Sequence, residues 1–175
     1  YLILMIVSGS TDPLPLPNLN NPSILVITAG VILTIVFLVW SIVHLHRTKS
    51  SGLVTSGPYR FVRHPQYLGF MIITGEMTLQ SVWVLQHTNG IGLFEIQLIW
   101  LVMLSCYALF AKIEEKYLFT QFPEQLPNYK KEVGCFFPEV KFDSDVVEVL
   151  SGIIIPFLIL QLLLLMMEFT GLVLF

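Results

Sequence analysis

The chain has 175 residues, of which 55% are hydrophobic and only 12% are charged, and its mean hydropathy is +0.78. Soluble domains contain about 25% charged residues, so this composition excludes an ordinary soluble protein and indicates an integral membrane protein. The net charge of −3 and the few basic residues, which lie beside apolar stretches, do not indicate nucleic-acid binding. We therefore expect one compact helical unit in a bilayer.

The first segment, residues 1–22, is expected to be the end of a truncated helix followed by a linker on the outer side. Residues 1–7 are apolar but too few to cross a bilayer, and they lack the basic residues that begin a signal peptide. The prolines and asparagines between residues 13 and 22 predict an extended connection.

Long apolar stretches then dominate the chain. Four are long enough to cross a hydrocarbon core of about 30 Å, namely residues 23–45, 68–86, 92–111 and 150–167. The polar run 87–90 joins the second and third into a helical hairpin. The predicted fold class is all-α: an integral membrane helical bundle with four full transmembrane helices plus a partial N-terminal one. Residues 23–149 would form the core and residues 150–175 an extra C-terminal transmembrane helix.

Charge predicts the orientation. All nine Lys and Arg residues fall in segments 46–67 and 112–149, which four crossings place on the same side of the membrane. By the positive-inside rule that side is cytoplasmic. We therefore expect a multi-pass protein of the plasma membrane or endoplasmic reticulum, with its polar segments in the cytoplasm.

The densest polar cluster is residues 57–69, Gly-Pro-Tyr-Arg-Phe-Val-Arg-His-Pro-Gln-Tyr-Leu-Gly, directly before the second apolar stretch. Ionisable groups at a membrane boundary are candidates for a functional site. Pro65 suits the first turn of a helix, whose free N–H groups would form an anion site with Arg60, Arg63 and His64. Arg60 by itself is equally well explained as an interfacial arginine.

Other polar side chains leave two interpretations open. Tyr59 and Tyr67 are either interfacial aromatic residues or rings that face a cation. Glu114 and Glu115, between two lysines at the end of the third stretch, form either a solvated helix end or part of the site. Glu76 lies in mid-span and should face a cavity or the bundle interior. It would either contact a polar substrate group, as a candidate catalytic residue, or bond to a neighbouring helix.

No metal site is predicted. His44 and His46 are two residues apart and lie on different faces of a helix. The two cysteines, Cys106 and Cys135, have no metal-ligand spacing, and a disulfide between them is not expected.

The pattern of residues 57–69 resembles the G-x-Y-x-x-x-R-H-P-x-Y-x-G signature of the isoprenylcysteine carboxyl methyltransferase and phospholipid methyltransferase superfamily. The lead-in L-V-x-x-G-x-Y and the later E-E-x-x-L element are also present, and the resemblance extends over about residues 52–138. Phe122-Pro123 departs from the Phe-Gly of that pattern. The resemblance implies S-adenosylmethionine as cofactor, Arg63 as the catalytic residue that orients an anionic acceptor, and these cofactor-binding residues: Leu53, Val54, Gly57, Tyr59, His64, Tyr67, Glu114 and Glu115.

The expected function is methyl transfer to a carboxylate or amine borne by a membrane lipid or lipidated substrate. One alternative is a nicotinamide-dependent reductase, because membrane sterol reductases have a related R-H-P-x-Y element. The other is a methyltransferase-like accessory subunit that binds a membrane-protein partner through its C-terminal helix.

Overall fold

The computed structural model describes residues 22–86 and 93–170. In these residues all extended secondary structure is helical, and the one β interaction is an isolated bridge between Val62 and Gly134. The prediction of an all-α fold is confirmed.

The helices of the described residues contain the predicted apolar stretches. They are α1 (Pro22–Thr48), α2 (Pro65–Gln86), α3 (Leu93–Gln121), the short α4 (Gln125–Glu132) and α5 (Asp145–Thr170). Short 3₁₀ turns cover Lys49–Ser51 and Gly57–Arg60. Pro65 begins α2, as expected from its missing N–H.

Within residues 22–86 and 93–170, three helical segments are long and apolar enough to cross a membrane: Leu25–Ser51, Phe94–Gln121 and Asp145–Met167. The prediction of four full spans is not confirmed, because α2 is not among these segments. The predicted partial N-terminal helix, the linker and the turn at residues 87–90 lie outside the described residues.

Close contacts hold α2 between α1 and α3. A Cβ atom at Gly69 would lie 3.1 Å from Leu38 of α1, and one at Gly75 would lie 3.0 Å from the Trp100 ring of α3. Trp100 Nε1 also donates to Thr74 Oγ1 at 3.0 Å. The buried core continues from α3 to α5, whereas the outward faces of the long helices expose leucine, isoleucine, valine and phenylalanine side chains, as expected of a surface in contact with lipid.

The connection between α4 and α5 packs against the polar end of α2 and α3. Gly134 is required there, since a Cβ atom would lie 2.2 Å from the Phe137 carbonyl oxygen and 2.4 Å from that of Val140. On α5, a Cβ atom at Gly152 would lie 2.6 Å from the Phe136 ring. These two glycines let the connection and α5 approach the start of α2 closely.

Candidate active site at one end of the helices

Two polar segments that are distant in sequence are joined through their backbones. The Arg63 N–H donates to the Gly134 carbonyl at 2.9 Å, and the His64 N–H donates to that of Cys135 at 3.2 Å. The Phe136 ring lies 6.2 Å from the His64 ring. The start of α2 and the connection before α5 therefore form one site.

Arg63 lies at the centre of this site with only 3% of its surface exposed. Its Nη1 bonds to Glu115 of α3, and its Nη2 bonds to Glu148 of α5. The Nε–H has no hydrogen-bond partner among the described residues. The sequence predicted an anion-binding site here. In the structure, the carboxylates of Glu115 and Glu148 already contact the two Nη nitrogens of Arg63.

Two lysines extend these ion pairs. Lys112 Nζ lies 2.9 Å from Glu115 Oε2 and 3.0 Å from Asp145 Oδ1, and it also pairs with Glu148. Lys130 Nζ lies 2.7 Å from Asp145 and 3.1 Å from Glu115. Burying an unpaired charge is costly. These ion pairs therefore explain how several charged side chains can be buried at one site. We call the following set the ionic network: Arg63, Lys112, Glu115, Lys130, Asp145 and Glu148.

His64 is buried between the two adjacent carboxylates. Its Nε2 lies 3.3 Å from Glu115 Oε1, and its Nδ1 lies 3.5 Å from Glu114 Oε2. Burial lowers the pKa of His64, but the hydrogen bonds and charges of Glu114 and Glu115 outweigh burial, so the net pKa is raised above 6.5. The Tyr67 ring lies 5.7 Å from the imidazole. The predicted residues His64, Tyr67, Glu114 and Glu115 are thus brought together.

Tyr59 connects the residues around His64 to the 3₁₀ turn Gly57–Arg60. Its hydroxyl donates to Gln66 Oε1 at 2.7 Å, and Gln66 Nε2 donates to Glu114 at 3.4 Å. The Tyr59 carbonyl accepts a hydrogen bond from the Tyr129 hydroxyl of α4. Burial, followed by the charge of Glu114, raises the pKa of Tyr59 well above its ordinary value. The phenol therefore remains protonated and acts as a donor.

A polar pocket of about 600 Å³ lies between the loop before α2 and the helix α4. That volume is within the range of about 300–1,000 Å³ that is usual for ligand sites. The predicted residue Leu53 lines the pocket, whereas the sequence did not indicate the residues of α4. The lining is Leu53, Thr55, Arg60, Gln125, Asn128, Tyr129, Glu132 and Val133.

The predicted residues Val54 and Gly57 belong to the same loop. Val54 is half-buried. Gly57 has φ +61°, and a Cβ atom at this position would lie only 2.8 Å from the His44 ring. His44 Nε2 also hydrogen bonds to Ser56 Oγ at 2.9 Å. Gly57 therefore shapes the loop.

An apolar cleft of about 380 Å³ lies between α2, α3 and α5. Glu76 is the single ionisable residue in its lining. It is eleven residues after Pro65, which is about 16 Å along a helix axis. A Cβ atom at Gly30 of α1 would lie 2.8 Å from Glu76 Oε1, and Glu76 Oε2 has no hydrogen-bond partner among the described residues. The structure thus separates Glu76 from Arg63.

Side-chain atoms that can bind a metal ion also lie close together in this region, although the sequence spacing predicted no metal site. His64, Glu115 and Cys135 offer atoms within 4.8 Å of one another, as do Glu115, Asp145 and Glu148. The carboxylates already pair with cationic side chains. Burial, followed by the charge of Glu115, raises the pKa of Cys135 to about 12, so its thiol stays protonated.

Sequence reasoning missed the acidic residues of α5. Asp145 and Glu148 are three residues apart at the start of an apolar stretch. This is the same signal that drew attention to Glu114 and Glu115, namely carboxylates at the end of a membrane helix.

The fold and site define a helical membrane protein with a buried ionic centre, a polar pocket and an apolar cleft. The profile of the isoprenylcysteine carboxyl methyltransferase (ICMT) family matches residues 23–120, more than half of the chain. The chain therefore belongs to the ICMT family of membrane methyltransferases.

Two curated relatives are similar to the chain. The protein-S-isoprenylcysteine O-methyltransferase of Schizosaccharomyces pombe is 34% identical over 98 residues, which cover 55% of this chain and 37% of that protein. The cobalt-zinc-cadmium resistance protein CzcN of Cupriavidus metallidurans is 27% identical over 118 residues, which cover 63% of this chain and 47% of that protein. The chain thus aligns with less than half the length of each relative. No solved structure matches it significantly.

Proposed function

We propose that this chain transfers the methyl group of S-adenosylmethionine to a carboxylate or amine carried by a membrane lipid or a lipidated molecule. The observation that carries the proposal is that the short segment with the buried residues Arg63 and His64 connects Arg60, which lines the polar pocket, to Leu68, which lines the apolar cleft. A polar methyl donor and an apolar acceptor need two such compartments, and membership of the ICMT family supports this reading.

The residues of the polar pocket fit the cofactor. Arg60 would pair with its carboxylate, Glu132 would accept hydrogen bonds from ribose hydroxyls, and Leu53 and Val133 would cover the adenine ring. Asn128 offers an amide to the base edge. Glu114, whose side chain is 31% exposed, is more accessible to a ligand than the buried Glu115.

The cofactor supplies an already activated methyl group, so the protein must mainly position the acceptor and exclude water. A carboxylate acceptor needs no general base. The Nε–H of Arg63 would be the donor for an anionic acceptor, and the imidazole of His64 would hold the adjacent acidic pair in place. Residues 23–149 together with the start of α5 would then form one functional unit.

The acceptor's apolar tail is assigned to the cleft. Leu68, Met71, Ile72 and Leu79 of α2 line one wall, and Leu160 of α5 lies opposite. From Leu68 to Leu79 this wall extends about 16 Å at 1.5 Å per residue. With α2 as a fourth crossing, the basic ends of the helices would lie on the cytoplasmic side.

The proposal is tested with purified protein in lipid nanodiscs, using S-adenosylmethionine with a labelled methyl group and a panel of prenylated carboxylates and phospholipid amines. Arg63→Ala and His64→Ala are expected to abolish transfer while the protein remains inserted. Arg47→Ala, which changes an exposed arginine at the end of α1, is the matched control.

Several results would contradict the proposal. Full transfer by both variants would remove the site assignment. Binding of NADPH in place of S-adenosylmethionine would favour the reductase. A purified chain that retains a stable protein partner and binds no cofactor would favour the accessory subunit.

A further inference from the structure

We infer that Glu148 of α5 is a positioning residue for Arg63, so that the last membrane helix completes the site. This inference rests on the proposed function. The family profile ends at residue 120 and does not extend to Glu148. The structure nevertheless places this carboxylate in the centre of the site.

The position of Glu148 is fixed by its own helix. It lies in the first turn of α5, where negative charge is favourable. Its N–H donates to the Ser144 carbonyl at 3.0 Å, and its carbonyl accepts from Ser151 Oγ at 2.8 Å. One turn later, Gly152 allows α5 to pack directly on the Phe136 ring. The side chain is therefore carried on a well-packed helix end, with 2% of its surface exposed.

Glu148 and Glu115 hold the guanidinium group from two different helices. Glu115 bonds to Nη1 and Glu148 bonds to Nη2, while the second carboxylate oxygen of Glu148 pairs with Lys112. Two carboxylates on separate nitrogens determine the plane of the guanidinium group. The buried Nε is the nitrogen of Arg63 that has no hydrogen-bond partner among the described residues, so its N–H is a donor available to a ligand. Glu148 thus sets the direction in which that donor meets an anionic group.

Asp145 provides a useful contrast on the same helix. It pairs with Lys112 and Lys130, but its side chain is 66% exposed and it has no ion pair with Arg63. Exposed ion pairs contribute little to the free energy of unfolding, because solvent screens their charges. The positioning role is therefore assigned to Glu148 and not to the acidic start of α5 in general.

Kinetics provide the first test. Glu148→Gln keeps the shape and removes the charge, so we expect kcat per folded molecule to fall about tenfold or more, while KM for the acceptor changes by less than about threefold. Glu148→Asp keeps the charge on a shorter side chain and should recover part of the loss. The matched control is Asp143→Asn, an exposed acid in the preceding connection, which should leave both constants unchanged. Wild-type kcat in Glu148→Gln would overturn the inference.

A second test does not depend on turnover. The chain has three arginines, Arg47, Arg60 and Arg63, so nitrogen-15 arginine labelling and single Arg→Lys substitutions assign every guanidinium signal. Wild-type protein and Asp143→Asn should show separate Nη1 and Nη2 signals for Arg63, because both nitrogens are held. Glu148→Gln should merge these signals, and Glu148→Ala, which also removes the charge, serves if that variant does not fold.

The two tests separate the inference from the proposed function. Separate Nη signals in Glu148→Gln or Glu148→Ala would overturn the inference, whatever the activity. If the wild-type protein transfers no methyl group to any acceptor, the proposed function fails, and the nuclear magnetic resonance comparison still decides whether Glu148 holds Arg63.

Discussion

Arg63 and Glu115 are 52 positions apart in the sequence and form a buried ion pair between the start of α2 and the end of α3. The pair brings the Arg-His-Pro element and the acidic pair into direct contact. His64 reaches the same carboxylate at 3.3 Å. The proposed reaction depends on this contact, because it fixes Arg63 and His64 on one buried carboxylate.

Removing the charge of Glu115 should destabilise the protein strongly. Glu115→Gln leaves Arg63, His64 and Lys112 without their shared partner in a buried site, and breaking a buried ion pair costs about 3–5 kcal/mol. The free energy of unfolding in detergent measures this loss. Glu114→Gln, at the more exposed neighbouring position, should cost about 1 kcal/mol or less. Equal losses in the two variants would contradict the burial argument.

The stability of the protein should depend on pH through His64. Its folded pKa is raised above that of the unfolded chain, so its stabilising contribution is complete below about pH 6.5 and is lost as the pH rises through the folded pKa. We expect the melting temperature to decrease as the pH rises above about 6.5, the ordinary pKa of a histidine in an unfolded chain. His64→Gln should flatten this dependence. An unchanged slope in that variant would contradict the assignment.

The contact between α5 and the connection before it should be sensitive to one methyl group. Gly152→Ala places a Cβ atom 2.6 Å from the Phe136 ring, and overpacking of this kind costs about 1–3 kcal/mol. The double variant Gly152→Ala, Phe136→Leu should recover part of the loss, as measured by thermal unfolding in a double-mutant cycle. Additive effects would show that the two positions do not contact each other.

Glu76 should contribute to acceptor binding and not to the chemical step. It lines the cleft about 16 Å along α2 from the start of that helix. Glu76→Gln and Glu76→Leu should therefore keep kcat within about twofold of wild type, whereas KM for acceptors of different tail chemistry changes. A loss of kcat by about a hundredfold or more would restore Glu76 as a catalytic residue.

Filling the polar pocket should prevent cofactor binding without affecting the ionic network. Leu53 lines the pocket and is half-buried in the loop before α2. Leu53→Trp should weaken S-adenosylmethionine binding about tenfold or more, which is about 1.4 kcal/mol, as measured by isothermal titration calorimetry. Phe61→Trp, at an exposed position of the same region, is the control. Wild-type affinity in Leu53→Trp would place the cofactor elsewhere.

Local sequence features predicted the helices and the candidate residues. Apolar length indicated α1, α3 and α5, and Pro65 marked the start of α2. The density of polar groups in residues 57–69 and the acidic pair Glu114 and Glu115 indicated both halves of the site, because such groups are costly beside hydrocarbon. The sequence alone therefore determined where charge interrupts the membrane helices and which family the pattern resembles.

Only the tertiary structure decided which charges meet. Spacing does not show that Glu148 reaches Arg63 from a helix 85 residues later, or that α4 borders a pocket with Leu53. These relationships depend on how α5 and the connection around Gly134 pack against α2 and α3, and packing between distant segments has no local signal in the sequence.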